Sequence, residues 1–197
     1  MQPLDLNDPT TVLLAVARSL QDAGIRAATY GGLALAAYGE PRETTDADLA
    51  VAGVGGTEGL EALRRSGLEV SLSFDRMRFG GNLVTRIAIL GGVGGSLNVA
   101  DLVEPRSARY ATAALGRAIT GSLRGESIAV LSPEDFVLFK VLSTRDRDLE
   151  DAATVLRSPG VHLDVSFVKS EGAALALEIS DHDVAGRLRR LLDGTVA

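Results

Sequence analysis

The chain has no cysteine, no tryptophan and only two histidines among its 197 residues. Without cysteine, neither a disulfide framework nor a thiolate metal site can form. His162 and His182 lie far apart in sequence with no further histidine at ligand spacing, so neither a zinc site nor a histidine-based triad is expected. No apolar run approaches the roughly 20 residues of a membrane span. The opening MQPLDLNDP carries acids and two prolines instead of a basic stretch and an apolar core, so it does not read as a secretion signal. A soluble, cytoplasmic protein is the expectation. Positive charge is in deficit too: 20 Lys and Arg stand against 26 Asp and Glu, a net −6. That argues against a general nucleic-acid coat protein, whose affinity would come from neutralising many phosphates.

What is present is an apolar content of 46%, drawn mainly from Ala, Leu and Val. The length suits one domain, or one domain with a small helical appendage, and buries roughly 70% of the unfolded surface. Asp8 before Pro9 is a helix start, followed by Val12, Leu13, Val16 and Leu20 at helical spacing, which predicts a helix over 9–23. IRAATY then reads as a short strand, GGLALAAYG as a short helix launched from it, and DADLAVAG as a second strand. TEGLEALRRSG is a capped helix. LEVSLSF, LVTRIAIL and SLNVADLV are strand candidates separated by Gly-rich turns. From Ser132 the pattern turns helical, beginning with a Ser cap and Pro133 at the first helical position. The fold class is therefore α/β of the α+β kind: a mixed sheet flanked by helices over 1–131, and a helical region over 132–197.

The informative stretch is YGGLALAAYGEPRETTDADLAV, Tyr30 to Val51. Asp46 and Asp48 are two residues apart, so on a strand they face the same way with Cα atoms about 6.5–7 Å apart. Two carboxylates at that spacing can share a divalent cation, which takes oxygen ligands and often completes its shell with substrate phosphates. They can equally be a solvated strand start. Gly31 and Gly32 sit where a strand passes into a helix, which either makes a tight turn or lets the backbone approach an anion at a helix N-terminus. Carboxylates for a metal next to glycines for a triphosphate form a chemical unit.

The run Gly31-Gly32, Arg42-x-Thr44, Asp46-x-Asp48-Leu49 resembles the first motif of the minimal nucleotidyltransferases of the DNA polymerase β superfamily, most closely the AbiEii-type toxin branch. Two later segments add to the resemblance. SLNVADLV supplies Asp101 at a strand end, where the superfamily carries a third carboxylate; Asn98 is a polar alternative nearby. SPEDFVLFKVLSTRDRDLEDAATVL resembles a family segment in which a helix bearing one lysine precedes Arg-x-x-Asp-x-x-Asp, here Lys140, Arg145, Asp148 and Asp151. The matches span Tyr30 to Leu156. They imply a polymerase-β-like core, an NTP substrate and Mg²⁺, or Mn²⁺ in its place, held by Asp46, Asp48 and Asp101. By the same resemblance Asp46, Asp48, Asp101 and Lys140 are catalytic, and Gly31, Gly32, Arg42, Thr44, Asp148 and Asp151 bind the nucleotide. Many superfamily members carry serine where this chain has Gly32.

The resemblance also implies an acceptor, first among them the 3′ end of tRNA, and a toxin role with an antitoxin partner. A protein or small-molecule acceptor, or a non-catalytic module of the same fold, are the alternatives. Arg106, Arg109, Arg117 and Arg124 form a basic stretch that reads either as a solvated face or as a support for an RNA backbone. Arg187, Arg189 and Arg190 form a second. GGVGGS, Gly91 to Ser96, lacks the lysine of a phosphate loop and reads as a hairpin turn. Tyr30 and Tyr38 read as core residues.

Overall fold

The computed structural model describes residues 4–91 and 96–195. Among these described residues, eight helices and seven strands follow one another as α1 (Pro9–Asp22), β1 (Ala27–Thr29), α2 (Gly31–Ala37), β2 (Ala47–Val51), α3 (Gly56–Arg65), β3 (Glu69–Phe79), β4 (Asn82–Leu90), β5 (Asn98–Pro105), α4 (Ala108–Gly116), β6 (Ile119–Leu123), β7 (Glu126–Val130), α5 (Pro133–Leu142), α6 (Asp146–Arg157), α7 (Val165–Glu178) and α8 (Val184–Thr195). The strands form one mixed sheet in the order β3-β4-β5-β2-β1-β7-β6. β2 runs parallel to β5 and β1 parallel to β7, while β1–β2, β3–β4, β4–β5 and β6–β7 are antiparallel. Among the described residues no helix is long and apolar enough to cross a membrane.

The period of two along each strand divides the molecule. Ala47, Leu49 and Val51 of β2, with Ala100 and Leu102 of β5, join the cluster under α1 and α3. Ala50 and Val103 face the other way, into a cluster with α2, α4 and the helices from α5 onward. Asp48 and Asp101 share that second face, which places them opposite α5 and α6.

The first helix ends one residue short of the expected span, and the strands from LEVSLSF to SLNVADLV form as expected. β4 and β5 pair antiparallel up to Ile89 and Asn98 on either side of the expected GGVGGS turn, of which 92–95 lie outside the described residues. α4 and the β6–β7 hairpin are not among the expected elements, since residues 106–124 stand out in the sequence only as a charge pattern. The helical pattern expected from Ser132 forms α5 and α6, interrupted at Ser143–Arg145.

The basic stretch is not one free face, since a carboxylate engages each of its four arginines. Arg106 pairs with Asp181 at 2.8 Å, Arg109 with Glu178 at 2.8 Å and with Glu171, and Arg124 with Asp8. Arg117 holds the start of α5, its guanidinium donating to both oxygens of Asp135 at 3.0 and 2.7 Å. Asp135 is wholly buried and accepts further from Tyr110 and Ser132, both at 2.9 Å. A buried carboxylate left without its cation is costly. Arg117→Ala is therefore expected to lower unfolding free energy in urea by about 3 kcal/mol, the lower end of the roughly 3–5 kcal/mol range because the arginine is partly solvated. A loss below about 1 kcal/mol would show that Asp135 does not depend on Arg117.

Candidate functional site

One row of residues crosses four strands. Phe74 of β3 is opposite Arg86 of β4, Arg86 opposite Asp101 of β5, and Asp101 beside Asp48 of β2. The row continues to Tyr30, whose amide donates to the Asp48 carbonyl at 3.0 Å. All of these side chains fall on the face toward α5, because neighbouring strands in register share a face. Asp46 precedes β2 by one residue and accepts from the Thr45 hydroxyl at 2.9 Å. It opens with Asp48, Asp101 and Thr44 onto one cleft of about 590 Å³.

The two glycines have a specific steric reason. Gly31 has φ +66°, and a Cβ there would stand 1.9 Å from Asp48 Oδ2; at Gly32 it would stand 2.7 Å from Thr44 Cβ. Both therefore leave room for side chains of the site itself. That is more immediate than the expected approach of a ligand to the backbone.

Across the cleft, Lys140 comes from an otherwise apolar face of α5 and is only 1% exposed. Its Nζ donates to Asp148 at 2.7 Å and to Asp151 at 2.8 Å, both on the inner face of α6, and lies 4.9 Å from the Tyr30 ring centroid. Arg42 grips both oxygens of Asp151 at 3.0 Å, and Arg145 both of Asp148 at 2.8 and 3.2 Å. Burial alone would raise the pKa of Asp148, but Lys140, Arg145 and Ser143 bring it down to about 2. Seven of the ten residues assigned from the sequence line this cleft, Asp46, Asp48, Asp101 and Thr44 with Arg42, Lys140 and Asp148; Gly31 and Gly32 lie against Asp48 and Thr44, and Asp151 lies against Arg42 and Lys140. Tyr30 and Tyr38 are buried against Phe136, as expected of core residues.

Three residues of this region were missed. Arg147 lines the cleft, and Asn82 lines an adjoining hollow. Arg86 donates to both oxygens of Asp101 at 2.8 and 2.7 Å and reaches to 3.9 Å from Asp46. The signal for Arg86 was an arginine at the outward phase of TRIAIL; which strand it would face depended on a register the sequence does not carry.

Among the described residues no three ligating side chains converge to hold a metal ion, so the expected third ligand, Asp101, does not complete such a group; separately, Arg86 donates to both of its oxygens. Asp46 and Asp48 still suit a hard divalent cation, which needs only one or two carboxylates when phosphates supply the rest. Although part of its surface reaches the cleft, Asp48 is closely surrounded by protein. Burial first, then the charges of Asp101 and Asp46, push its pKa up to about 7, with Lys140 opposing. A carboxylate held among like charges is one that a cation would relieve.

No protein-family model matches the sequence, and none of the curated proteins does. Solved structures do. An antigenic nucleotidyltransferase-like protein from Paracoccidioides brasiliensis is similar with a TM-score of 0.51 and 21% identity over 95% of this chain and 94% of that one. ANT(2″)-Ia in complex with adenylyl-2″-tobramycin is similar with a TM-score of 0.50 and 15% identity over 86% of this chain and 97% of that one. The architecture is the nucleotidyltransferase, polymerase-β-like fold.

Two measurements follow from these contacts. Asp48 protonated is a stabilising state that is fully present below the ordinary carboxylate pKa of 3.8 and lost as pH rises through about 7. In Asp48→Asn nothing ionises there, so its melting temperature should gain on the wild type between pH 4 and 7 and hold a constant lead above that. A lead that does not vary with pH would mean that Asp48 titrates as a free carboxylate. Replacing Lys140 by Met strands two buried carboxylates and should cost about 3–5 kcal/mol in urea unfolding; a loss under 1 kcal/mol would mean that Arg42 and Arg145 suffice for them.

Proposed function

We propose that this chain is a nucleotidyltransferase that moves an NMP group from a metal-bound NTP to an acceptor hydroxyl. The observation that carries this reading is one cleft with Asp46, Asp48 and Asp101 on its sheet side and, across from them, Arg42, Lys140, Arg145 and Arg147, which outnumber the Glu43 and Asp148 carboxylates beside them. A magnesium–triphosphate complex has the matching distribution of charge. Asp46 and Asp48 are the residues to hold the cation; Mg²⁺, or Mn²⁺ in its place, would supply charge against the reacting phosphate and the departing pyrophosphate. Arg42, Arg145 and Arg147 neutralise and orient the triphosphate tail, while Lys140 keeps the carboxylates of α6 in place behind them. Asp101 orients the acceptor hydroxyl and takes its proton. Positioning and charge neutralisation carry most of such catalysis, so no covalent nucleophile is needed.

The motifs of the AbiEii-type branch support the 3′ end of tRNA as acceptor, with a toxin role and an antitoxin partner. The arginines from Arg106 to Arg124 give that reading no support, because carboxylates already engage them. A second reading, a small-molecule acceptor, is favoured by a compact hollow of about 210 Å³ beside the carboxylates. ANT(2″)-Ia, of the same fold, was crystallised with a nucleotidylated tobramycin.

The deciding assay incubates the protein with Mg²⁺ and each α-labelled NTP, with total tRNA or with a panel of small hydroxyl compounds, beside Asp46→Ala. Label should appear in one acceptor and fall at least about a hundredfold in the variant. Near-normal transfer by Asp46→Ala would remove the assignment of the carboxylates. A folded protein that binds no Mg-NTP would instead be a non-catalytic module of this fold.

A further inference from the structure

Helix α5 stops inside the site, with Lys140 in its last turn. The last four carbonyls of a helix have no partner within it, and here each finds a different one. Phe139 accepts from the Asn82 amide at 3.0 Å, Lys140 from the Ser143 N–H at 3.2 Å, Val141 from Nε of Arg187 at 3.0 Å, and Leu142 from the Gly81 N–H at 2.8 Å. Gly81 and Asn82 lie at the β3–β4 turn, and Ser143 is the next residue of the chain. Arg187 alone comes from α8, 46 residues beyond Val141. Its Nη2 also donates to the carbonyl of Arg145, the residue just before α6, at 2.9 Å. One planar group thus joins the last turn of α5 to the start of α6, a helix with no side-chain cap of its own.

Arg187 is 5% exposed and its charge meets carbonyls in place of a carboxylate; Asp146 stands 3.9 Å away with a side chain 95% exposed. Burial first, then Arg190, holds its pKa below the usual arginine value. The negative end of the α5 dipole offsets part of that cost. A buried charge needs its hydrogen bonds, so the guanidinium has one seating, and its rigid fork fixes the two carbonyls relative to each other. The joint so fixed carries the cation side of the cleft. Ser143 and Arg145 both donate to Asp148, and the Arg145 side chain, 72% exposed, lines the cleft. Among the described residues none of α8 lines that cleft, so Arg187 reaches it only through the joint.

We infer that Arg187 is a positioning residue for the nucleotide: from α8 it holds the break between α5 and α6 at the angle that keeps the Arg145 guanidinium on the rim of the cleft, facing the triphosphate. The inference rests on the nucleotidyltransferase reading and adds to it a residue that touches neither nucleotide nor metal. Without this bridge α5 and α6 still pack through Lys140 and its two carboxylates. The backbone from Ser143 to Arg145 is then free to turn, and the Arg145 side chain turns with it.

The test measures, on the full chain with magnesium, the affinity for the unreactive α,β-methylene analogues of ATP, GTP, CTP and UTP, the tightest being carried forward. Arg187→Met keeps the aliphatic stem and removes the donors; once folded, it should bind at least about tenfold more weakly than the wild type. Arg187→Lys keeps the charge and loses the fork, and should bind at least about threefold more weakly. Arg189→Met, exposed on the same helix, removes a charge elsewhere and should bind as the wild type does. In an Arg145→Gln background Arg187→Met should add less than about a twofold loss, because both act through one group. A purely structural role would shift the urea midpoint and leave the affinity of the folded chain unchanged.

Wild-type affinity in folded Arg187→Met or Arg187→Lys, an equal loss in Arg189→Met, or full additivity with Arg145→Gln would overturn the inference and leave the nucleotidyltransferase reading intact. A wild-type chain that binds none of the magnesium–nucleotide analogues would overturn that reading, and the role of Arg187 with it.

Discussion

The ammonium group of Lys140, sealed between α5 and α6, is the constraint on which the rest of the site depends. A lysine on an apolar helix face can lie at 1% exposure only if its charge is met where it lies. Asp148 and Asp151 meet it from one face of α6, three residues apart, which fixes the rotation of α6 against α5. Each of these carboxylates is then engaged from its far side, Asp151 by Arg42 on the segment between α2 and β2, and Asp148 by Arg145 at the start of α6. The chain of contacts therefore ties the helical region to the segment that carries Thr44 and Asp46. Three cations share two carboxylates in this chain, leaving one positive charge, and Arg42 and Arg145 carry it to the rim of the cleft.

The sheet side has the opposite imbalance. Asp48 and Asp101 are neighbours on parallel strands with Asp46 close by, and of the nearby cations only Arg86 lies on the sheet. Arg86 satisfies Asp101, and the unmet part of the repulsion appears at Asp48. Gly31 is part of the same arrangement: any side chain there would collide with the Asp48 carboxylate and force it out of the row. A cleft with an excess of negative charge on one wall and of positive charge on the other favours a ligand that has both, which neither a free polyanion nor a bare cation offers.

Much of this was legible because it is local. The helix cap at Ser132, the two-residue spacing of Asp46 and Asp48, the strand-end position of Asp101 and the three-residue spacing of Asp148 and Asp151 each follow from periodicity or near neighbours. What was not legible depends on partners distant in the chain. Arg106 finds Asp181 at a separation of 75 residues, Arg109 finds Glu178 at 69, and Arg124 finds Asp8 at 116. A charge run read along the sequence looks like a basic face, and the fold gives each of its four arginines a carboxylate of its own. Arg86 was hidden for a related reason: a strand's phase shows which face a side chain takes, but only register shows that the residue opposite is Asp101. The bond from Asn82 to the Phe139 carbonyl, 57 residues away, is a property of packing alone.

The fold and the chemistry place different demands on the sequence. The P. brasiliensis protein and ANT(2″)-Ia share this architecture across nearly their whole length at 21% and 15% identity, so the sheet and its helices need little more than alternating apolar positions and a few glycines. The row from Phe74 to Tyr30 divides what remains. On its helix side lie the charged groups suited to a metal-bound triphosphate, a ligand with few possible forms. On its other side lies the hollow of Phe79, Val84, Val103 and Asn82, whose size and hydrogen bonding nothing in nucleotide binding dictates. The division is not complete, since the hollow and the cleft share Asp48, Asp101 and Arg145, and Ser143 of the hollow donates to Asp148 in the Lys140 network.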